Sequence, residues 1–187
     1  SFKTGLKVSP SRSSDGGPSA STVIYNHPSP LKSGIYQVRV AARDDRSGIL
    51  GSAIQWIVIP DLSAHQLTLS SLIVGLEDVA NKSAGAGRIQ WSVDKVFAHN
   101  THLRFMTLIY NGASHDLAAR VQVYRDGRSV LATPFKKVAQ QSDPQRIPFN
   151  AEINLGGLAS GRYILEVTVE DRSTQKSASQ RTEWFIQ

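Results

Sequence analysis

The sequence predicts an all-β protein with two related β-sandwich units, and three observations support this fold class. Residues that favour strands, such as Val, Ile, Thr and Tyr, are frequent, and long runs of Ala, Leu, Glu and Lys are missing. Gly and Pro, which form turns, occur along the whole length of the chain. Finally, residues 31–59 are repeated, with changes, at residues 158–186.

The repeat contains an L-x-x-G-x-Y motif in each copy. Its members are Leu31, Gly34 and Tyr36 in the first copy and Leu158, Gly161 and Tyr163 in the second. In both copies the following residues alternate between apolar and polar, which is typical of a half-buried antiparallel strand. If the turn of the second copy holds one extra residue, Trp56 aligns with Trp184, and we expect both tryptophans to pack in equivalent structural positions.

The motif matches the tyrosine corner of immunoglobulin-like and fibronectin type III sandwiches. In such a corner the ring packs on the core and the hydroxyl bonds to the backbone of the preceding turn. Since two copies occupy the same place in two units, we interpret the six motif residues as structural rather than catalytic. The fold class is therefore all-β, with tandem immunoglobulin-like sandwich units.

The copies also divide the chain into residues 1–60 and residues 61–187. Strand patterns in the first part occur at residues 2–8, 22–26, 35–43 and 53–59. Four strands are too few to close a sandwich, so we predict that the first unit is incomplete. Its missing strands lie upstream in a longer protein or come from another chain; alternatively, the four strands pack as a small sheet against the second unit.

The second part has enough strand patterns for a complete sandwich. They occur at residues 66–75, 92–97, 101–111, 117–127, 129–133 and 146–155, and the repeated hairpin follows them. A polar loop rich in Gly and Ala covers residues 77–88. Asp126–Gly127 predicts a tight hairpin turn.

Composition limits the classes of function. The chain has 187 residues and no cysteine, which excludes disulfides, thiol catalysis and thiolate-ligated metal sites. The formal net charge is +6, but the basic residues are scattered, and Lys136–Lys137 is the only adjacent basic pair. We therefore expect no nucleic-acid partner. Apolar runs fall short of the roughly 18–20 residues of a membrane helix, so we expect no membrane insertion.

No catalytic site can be assembled from the sequence, because no nucleophile, base and orienting group come together in a known motif. His99 and His102, with His115–Asp116 downstream, are the closest approach to a metal site, but exposed loop histidines explain them better. Asp44–Asp45 and Glu170–Asp171 are each followed by arginine, which favours turn capping over calcium binding. We predict no metal and no cofactor.

Trp91 is the candidate ligand contact. It has no partner in the repeat, it neighbours the glycine-rich loop, and an exposed tryptophan can stack on a sugar ring.

The match to a known family is carried by Leu31–Asp44, Gly51–Gln55 and Ile59–Leu62. Together with the strand pattern that follows, these stretches resemble the C-terminal region of acidobacterial proteins related to von Willebrand factor A (VWFA-related proteins). There, an A-like domain precedes such segments. The resemblance implies an exported multidomain protein that is periplasmic, on the cell surface or secreted. The metal-binding motif D-x-S-x-S of the A-like domain does not occur here, so the resemblance implies no metal.

The predicted function is that of a non-catalytic structural or interaction module, which spaces or docks an adjacent domain or a protein partner. A carbohydrate-binding accessory module is the alternative. The chain opens at Ser1 without a signal peptide, and we interpret it as part of a longer exported protein. Because a short first unit leaves unpaired strand edges, we also predict a homodimer through those edges.

Overall fold

The computed structural model describes residues 27–77, 89–112, 116–139, 143 and 145–187. The chain divides into two compact units, Ser1–Leu31 and Lys32–Gln187. In the first unit the described residues, 27–31, have no regular secondary structure. The strands expected at residues 2–8 and 22–26, and most of the polar loop expected at 77–88, lie outside the described residues.

All strands of the described chain belong to the second unit. They are β1 (Gly34–Arg43), β2 (Leu50–Ile59), β3 (Thr68–Leu69), β4 (Ile73–Glu77), β5 (Ile89–Trp91), β6 (Val96–Phe97), β7 (His102–Tyr110), β8 (Leu117–Arg125), β9 (Arg128–Ala132), β10 (Lys136–Lys137), β11 (Arg146–Asn154), β12 (Gly161–Asp171) and β13 (Lys176–Ile186). The helical content of the described residues is one short 3-10 helix, Leu62–Ala64. No helix among them is long and apolar enough to cross a membrane.

Strands β3 to β13 form two sheets. One has the order β10-β8-β12-β13-β6, with β9 also paired to β8; the other has the order β11-β7-β4-β5, with β3 also paired to β7. Buried side chains from both sheets form a single apolar cluster. The predicted all-β sandwich is therefore confirmed.

Alternation explains which side chains form this core. In β7, Leu103, Phe105, Thr107 and Ile109 are buried, and Arg104, Met106 and Leu108 point outward. The largest buried side chains form an aromatic group at the end of β13: the Trp184 ring stacks on Tyr163 with centroids 4.9 Å apart and meets Phe97 edge-on at 6.2 Å.

The strand expected at residues 66–75 is interrupted. The hydroxyl of Ser70 accepts a hydrogen bond from the Leu108 amide at 2.9 Å, which takes the place of a regular ladder contact. Beyond this point the pairing with β7 moves by one residue, since Leu69 lies opposite Ile109 and Ile73 opposite Met106. A bulge of this kind bends the strand and separates β3 from β4.

The strand expected at residues 92–97 is also wrong in its limits. Strand β5 ends at Trp91, and β6 begins at Val96. Between them the Asp94 carboxylate accepts from the Ser92 hydroxyl at 2.6 Å, and Lys95 has a positive φ of 56°. These local contacts form a turn, because a short polar side chain competes with the sheet for backbone donors.

The turn predicted at Asp126–Gly127 is confirmed. Both residues have positive φ, 50° and 75°, as a two-residue hairpin turn that follows the twist of its strands requires. The turn joins β8 to β9 with Arg125 opposite Arg128.

Strands β1 and β2 form a two-stranded sheet of their own. They pair in a continuous antiparallel register from Gly34 opposite Ile59 to Arg43 opposite Leu50. Asp44 closes the turn, since its carboxylate accepts from the Arg46 amide at 3.0 Å. Within the part of the chain that the structure describes, no third strand joins this hairpin.

Candidate functional site

The hairpin of β1 and β2 exposes apolar side chains over its whole length. On its two strands, those with exposed fractions of 58–71% are Ile35, Val40, Leu50, Ile54, Trp56 and Val58. Single exposed apolar residues are ordinary, but a group of this size on one hairpin makes it a candidate binding surface.

The register sorts these residues into two faces, because neighbours along a strand point in opposite directions. The Tyr36 face consists of Gly34, Tyr36, Val38, Val40, Ala42, Gly51, Ala53, Gln55, Ile57 and Ile59. The Trp56 face consists of Ile35, Gln37, Arg39, Ala41, Arg43, Leu50, Ser52, Ile54, Trp56 and Val58.

The repeat shows how a face of the first kind is normally placed. In β12, Tyr163, Leu165 and Val167 are at most 1% exposed, because the sheet that contains β7 and β11 covers them. Val40 corresponds to Val167 in the repeat, yet it is 58% exposed. The same sequence pattern is thus buried core in the second copy and open surface in the first.

The predicted equivalence of Trp56 and Trp184 is wrong. Tyr163 lies opposite Trp184, but Tyr36 lies opposite Ile57, so Trp56 points to the other face of its hairpin. The turn between β1 and β2 is longer than the turn between β12 and β13, but β1 and β2 are each one residue shorter than β12 and β13. The number of residues from the tyrosine to its cross-strand partner is therefore the same in both hairpins. Trp56 is 61% exposed, whereas Trp184 is fully buried.

The two copies also differ on their second faces. In the sandwich, the counterpart of the Trp56 face is polar: Glu166 accepts from the Arg181 guanidinium at 3.1 Å, and the Tyr124 hydroxyl bonds to the same carboxylate. Burial raises the pKa of Glu166, but these hydrogen bonds outweigh it and leave the pKa below its ordinary value. The carboxylate is therefore ionised and paired at neutral pH.

The two motif tyrosines make the same local bond. The Tyr36 hydroxyl donates to the Lys32 carbonyl at 2.9 Å, and the Tyr163 hydroxyl donates to the Ala159 carbonyl at 2.6 Å. In the second copy the Arg125 guanidinium also donates to the tyrosine oxygen, at 3.3 Å. Both hydroxyls are thus bonded within their corners.

The other motif residues lie beside these tyrosines. Gly34 and Gly161 have φ values of 150° and 143°, which a residue with a Cβ rarely adopts. Leu158 packs against the core, whereas Leu31 is 44% exposed. The corner geometry is therefore present in both copies, and only the second is enclosed.

Trp91 lies on the outer face of the five-stranded sheet. It is opposite Gly75, which in turn is opposite Arg104, so these three positions form one row across the sheet. Trp91 is half-buried. Because Gly75 has no side chain, the row carries an aromatic group and a cation with a gap between them.

The row continues into Glu152, which anchors two basic side chains. Its carboxylate accepts from His102 at 2.5 Å and from the Arg104 guanidinium at 2.9 Å. The hydrogen bond from His102 lowers the pKa of Glu152 most, and Arg104 lowers it further. This surface therefore presents an ionised carboxylate at neutral pH, at the opposite end of the row from Trp91.

The histidines do not converge. His99 bonds to the Ser160 hydroxyl at 2.9 Å, whereas His102 bonds to Glu152, and His115 lies outside the described residues. No group of three or more potential metal ligands is found in the ranges that the structure describes. Asp171 accepts from the Ser173 amide at 3.0 Å, which is the geometry of a turn cap.

No protein-family model and no curated protein matches the chain. Among solved structures, the soluble domain of PmoD from Methylocystis sp. ATCC 49242 (Rockwell) is similar over 64% of this chain and 90% of its own length, with a TM-score of 0.39 and 17% sequence identity.

The exposed Trp56 face is the candidate surface that the repeat alignment missed. The signal was present, because the distance along the chain from tyrosine to cross-strand partner is identical in the two copies. An alignment of the two copies without a gap places Ile57 opposite Tyr36 and Trp56 on the other face of the hairpin.

Proposed function

We propose that this chain is a non-catalytic interaction module whose hairpin docks an apolar β-sheet of an adjacent domain in an exported multidomain protein. The observation that carries the proposal is the contrast within the repeat. The Tyr36 face is open, while the matching face of β12 and β13 is covered by a second sheet.

The repeat also indicates the chemistry of the occupant. The matching face of the sandwich is covered by Leu103, Phe105 and Ile109, which project from alternate positions of one strand. An occupant of the Tyr36 face should therefore be a sheet with the same alternation of large apolar side chains. Covering Val38 and Val40 removes apolar surface from water, at about 25 cal/mol for each Å².

The setting in an exported protein is supported by the resemblance to VWFA-related proteins. Adjacent domains within one polypeptide dock readily, because the linker raises their effective concentration. A modest apolar face can therefore serve as a stable contact between domains.

Photo-crosslinking in the natural host tests the proposal. A photoreactive phenylalanine analogue at Val40 should capture a peptide with alternating apolar residues, and Val38→Asp should abolish the capture. The matched control carries the analogue at Val93, which is 69% exposed but lies outside the hairpin. The mass of the product separates an adjacent domain from an independent protein.

Equal capture from Val40 and Val93, or capture that Val38→Asp leaves intact, would contradict docking through the Tyr36 face. A captured peptide that belongs to an independent protein would contradict the adjacent domain as the occupant.

A carbohydrate-binding accessory module is the second candidate, and the row of Trp91, Gly75, Arg104 and Glu152 favours it. A sugar ring could stack on the indole while its hydroxyls bond to the charged groups beyond the glycine. Binding to a glycan array that Trp91→Ala abolishes and Trp56→Ala preserves would support this function. If both variants lose binding equally, the row is not the site.

A further inference from the structure

The Trp56 face of the hairpin differs from the outer face of β12 and β13, to which it corresponds in the repeat. On the outer side of β12 and β13 the charged pair of Glu166 and Arg181 faces the solvent side of the sheet. On the hairpin, the corresponding surface carries Trp56 and four exposed aliphatic side chains, beside the polar residues Gln37, Arg39, Arg43 and Ser52. This surface is independent of the Tyr36 face, because the two lie on opposite sides of the same two strands.

The exposed area is sufficient for a specific contact. Five residues of this face have exposed fractions of 60–71%: Ile35, Leu50, Ile54, Trp56 and Val58. Together they expose roughly 500 Å² of apolar side chain. Two copies packed through this face would bury about 1,000 Å², which is the lower limit for a stable protein interface.

We propose that two copies of this chain associate face to face through their Trp56 faces. A two-fold axis makes such a contact self-complementary, since each copy presents the same apolar surface to the other. Sheets pack face to face at about 10 Å, which allows the side chains of the two hairpins to interdigitate. This contact differs from the edge pairing that the sequence suggested.

The charges of the face are compatible with this arrangement. Its two arginines, Arg39 and Arg43, both belong to β1, whereas Leu50, Ile54 and Trp56 belong to β2. The Arg39 guanidinium donates to the Gln37 side chain on the same strand. Arginine stems can cover apolar surface at the rim while their charged ends stay in water.

Single-cysteine crosslinking is the first test, and the chain suits it because it has no cysteine of its own. Ile54→Cys places a thiol on the Trp56 face, and Val40→Cys places a matched thiol on the Tyr36 face, with exposed fractions of 60% and 58% at the two positions. With a short bismaleimide reagent, we expect a covalent dimer from Ile54→Cys and none from Val40→Cys. Crosslinking from both, or from Val40→Cys alone, would overturn the proposal.

Sedimentation equilibrium is the second test. We expect Trp56→Ser to weaken the dimer at least about 10-fold, since buried tryptophans contribute most to interfaces of this size. Val93→Ser should leave the dissociation constant unchanged, and Ile54→Ser gives a second variant on the same face. A monomer at concentrations up to about 1 mM would rule the dimer out. That result would not bear on the proposed docking through the Tyr36 face, which the photo-crosslinking at Val40 tests separately.

Discussion

Val167 and Val40 give the sharpest test of the finding that the same face of the repeat is buried in the second copy and exposed in the first. The two valines occupy the same position of the repeat, but their exposed fractions are 0% and 58%. Val167→Ala removes two methyl groups from a closed core, which costs about 1.6 kcal/mol in transfer free energy and more for the cavity. We expect a total loss of about 2–3 kcal/mol in the free energy of unfolding, and less than about 0.5 kcal/mol for Val40→Ala.

Urea unfolding followed by tryptophan fluorescence measures this difference. The buried Trp184, stacked on Tyr163, reports on the sandwich core. In a thermal scan, Val167→Ala should lower Tm by roughly 4–12 °C for a domain of this size. Equal losses for the two alanine variants would refute the reasoning, because they would mean that the hairpin is as well covered as the sandwich.

Three further predictions concern single side chains. Because the folded-state pKa of Glu166 lies below its ordinary value of 4.5, its ionic bonds stabilise the fold above that pH and lose this effect as the pH falls through the folded-state value. Glu166→Gln should therefore lower Tm at pH 7, with a difference from the parent that shrinks below about pH 4; a constant difference would contradict this. Gly127→Val should cost about 1–2 kcal/mol in urea unfolding, since φ at this turn is 75°; no loss would show that the turn relaxes. Tyr163→Phe should cost about 1 kcal/mol by the same measurement, and Tyr36→Phe much less, since only the Tyr163 ring is buried and its hydrogen bond is partly shielded from water; the reverse order would contradict the difference in burial.

Local rules were sufficient for much of the fold. The turn at Asp126–Gly127 follows from the backbone preferences of those two residues, and β7 follows from strict alternation over nine positions. The interruption at Ser70 could not be predicted in this way. It depends on a hydrogen bond to Leu108, a residue far away in the sequence.

The candidate surfaces were predictable only in part. Trp91 was singled out because it lacks a repeat partner, but its place in a row with Arg104 follows from strand pairing that the sequence does not show. The wrong position of Trp56 has a different cause. Aligning two tryptophans by identity required a gap, and cross-strand register is determined by pairing geometry rather than by residue type.

The similar pattern of the two hairpins also means that they could compete for the same place during folding. The hairpin of β1 and β2 leaves the ribosome before β12 and β13, and its Tyr36 face resembles the face of β12 and β13 that packs against β7 and β11. If it occupied that place, Ile57 would stand where Trp184 fills the space beside Phe97. The void left by replacing an indole with a smaller side chain costs on the order of a few kcal/mol. One large side chain thus favours the correct copy in the sandwich.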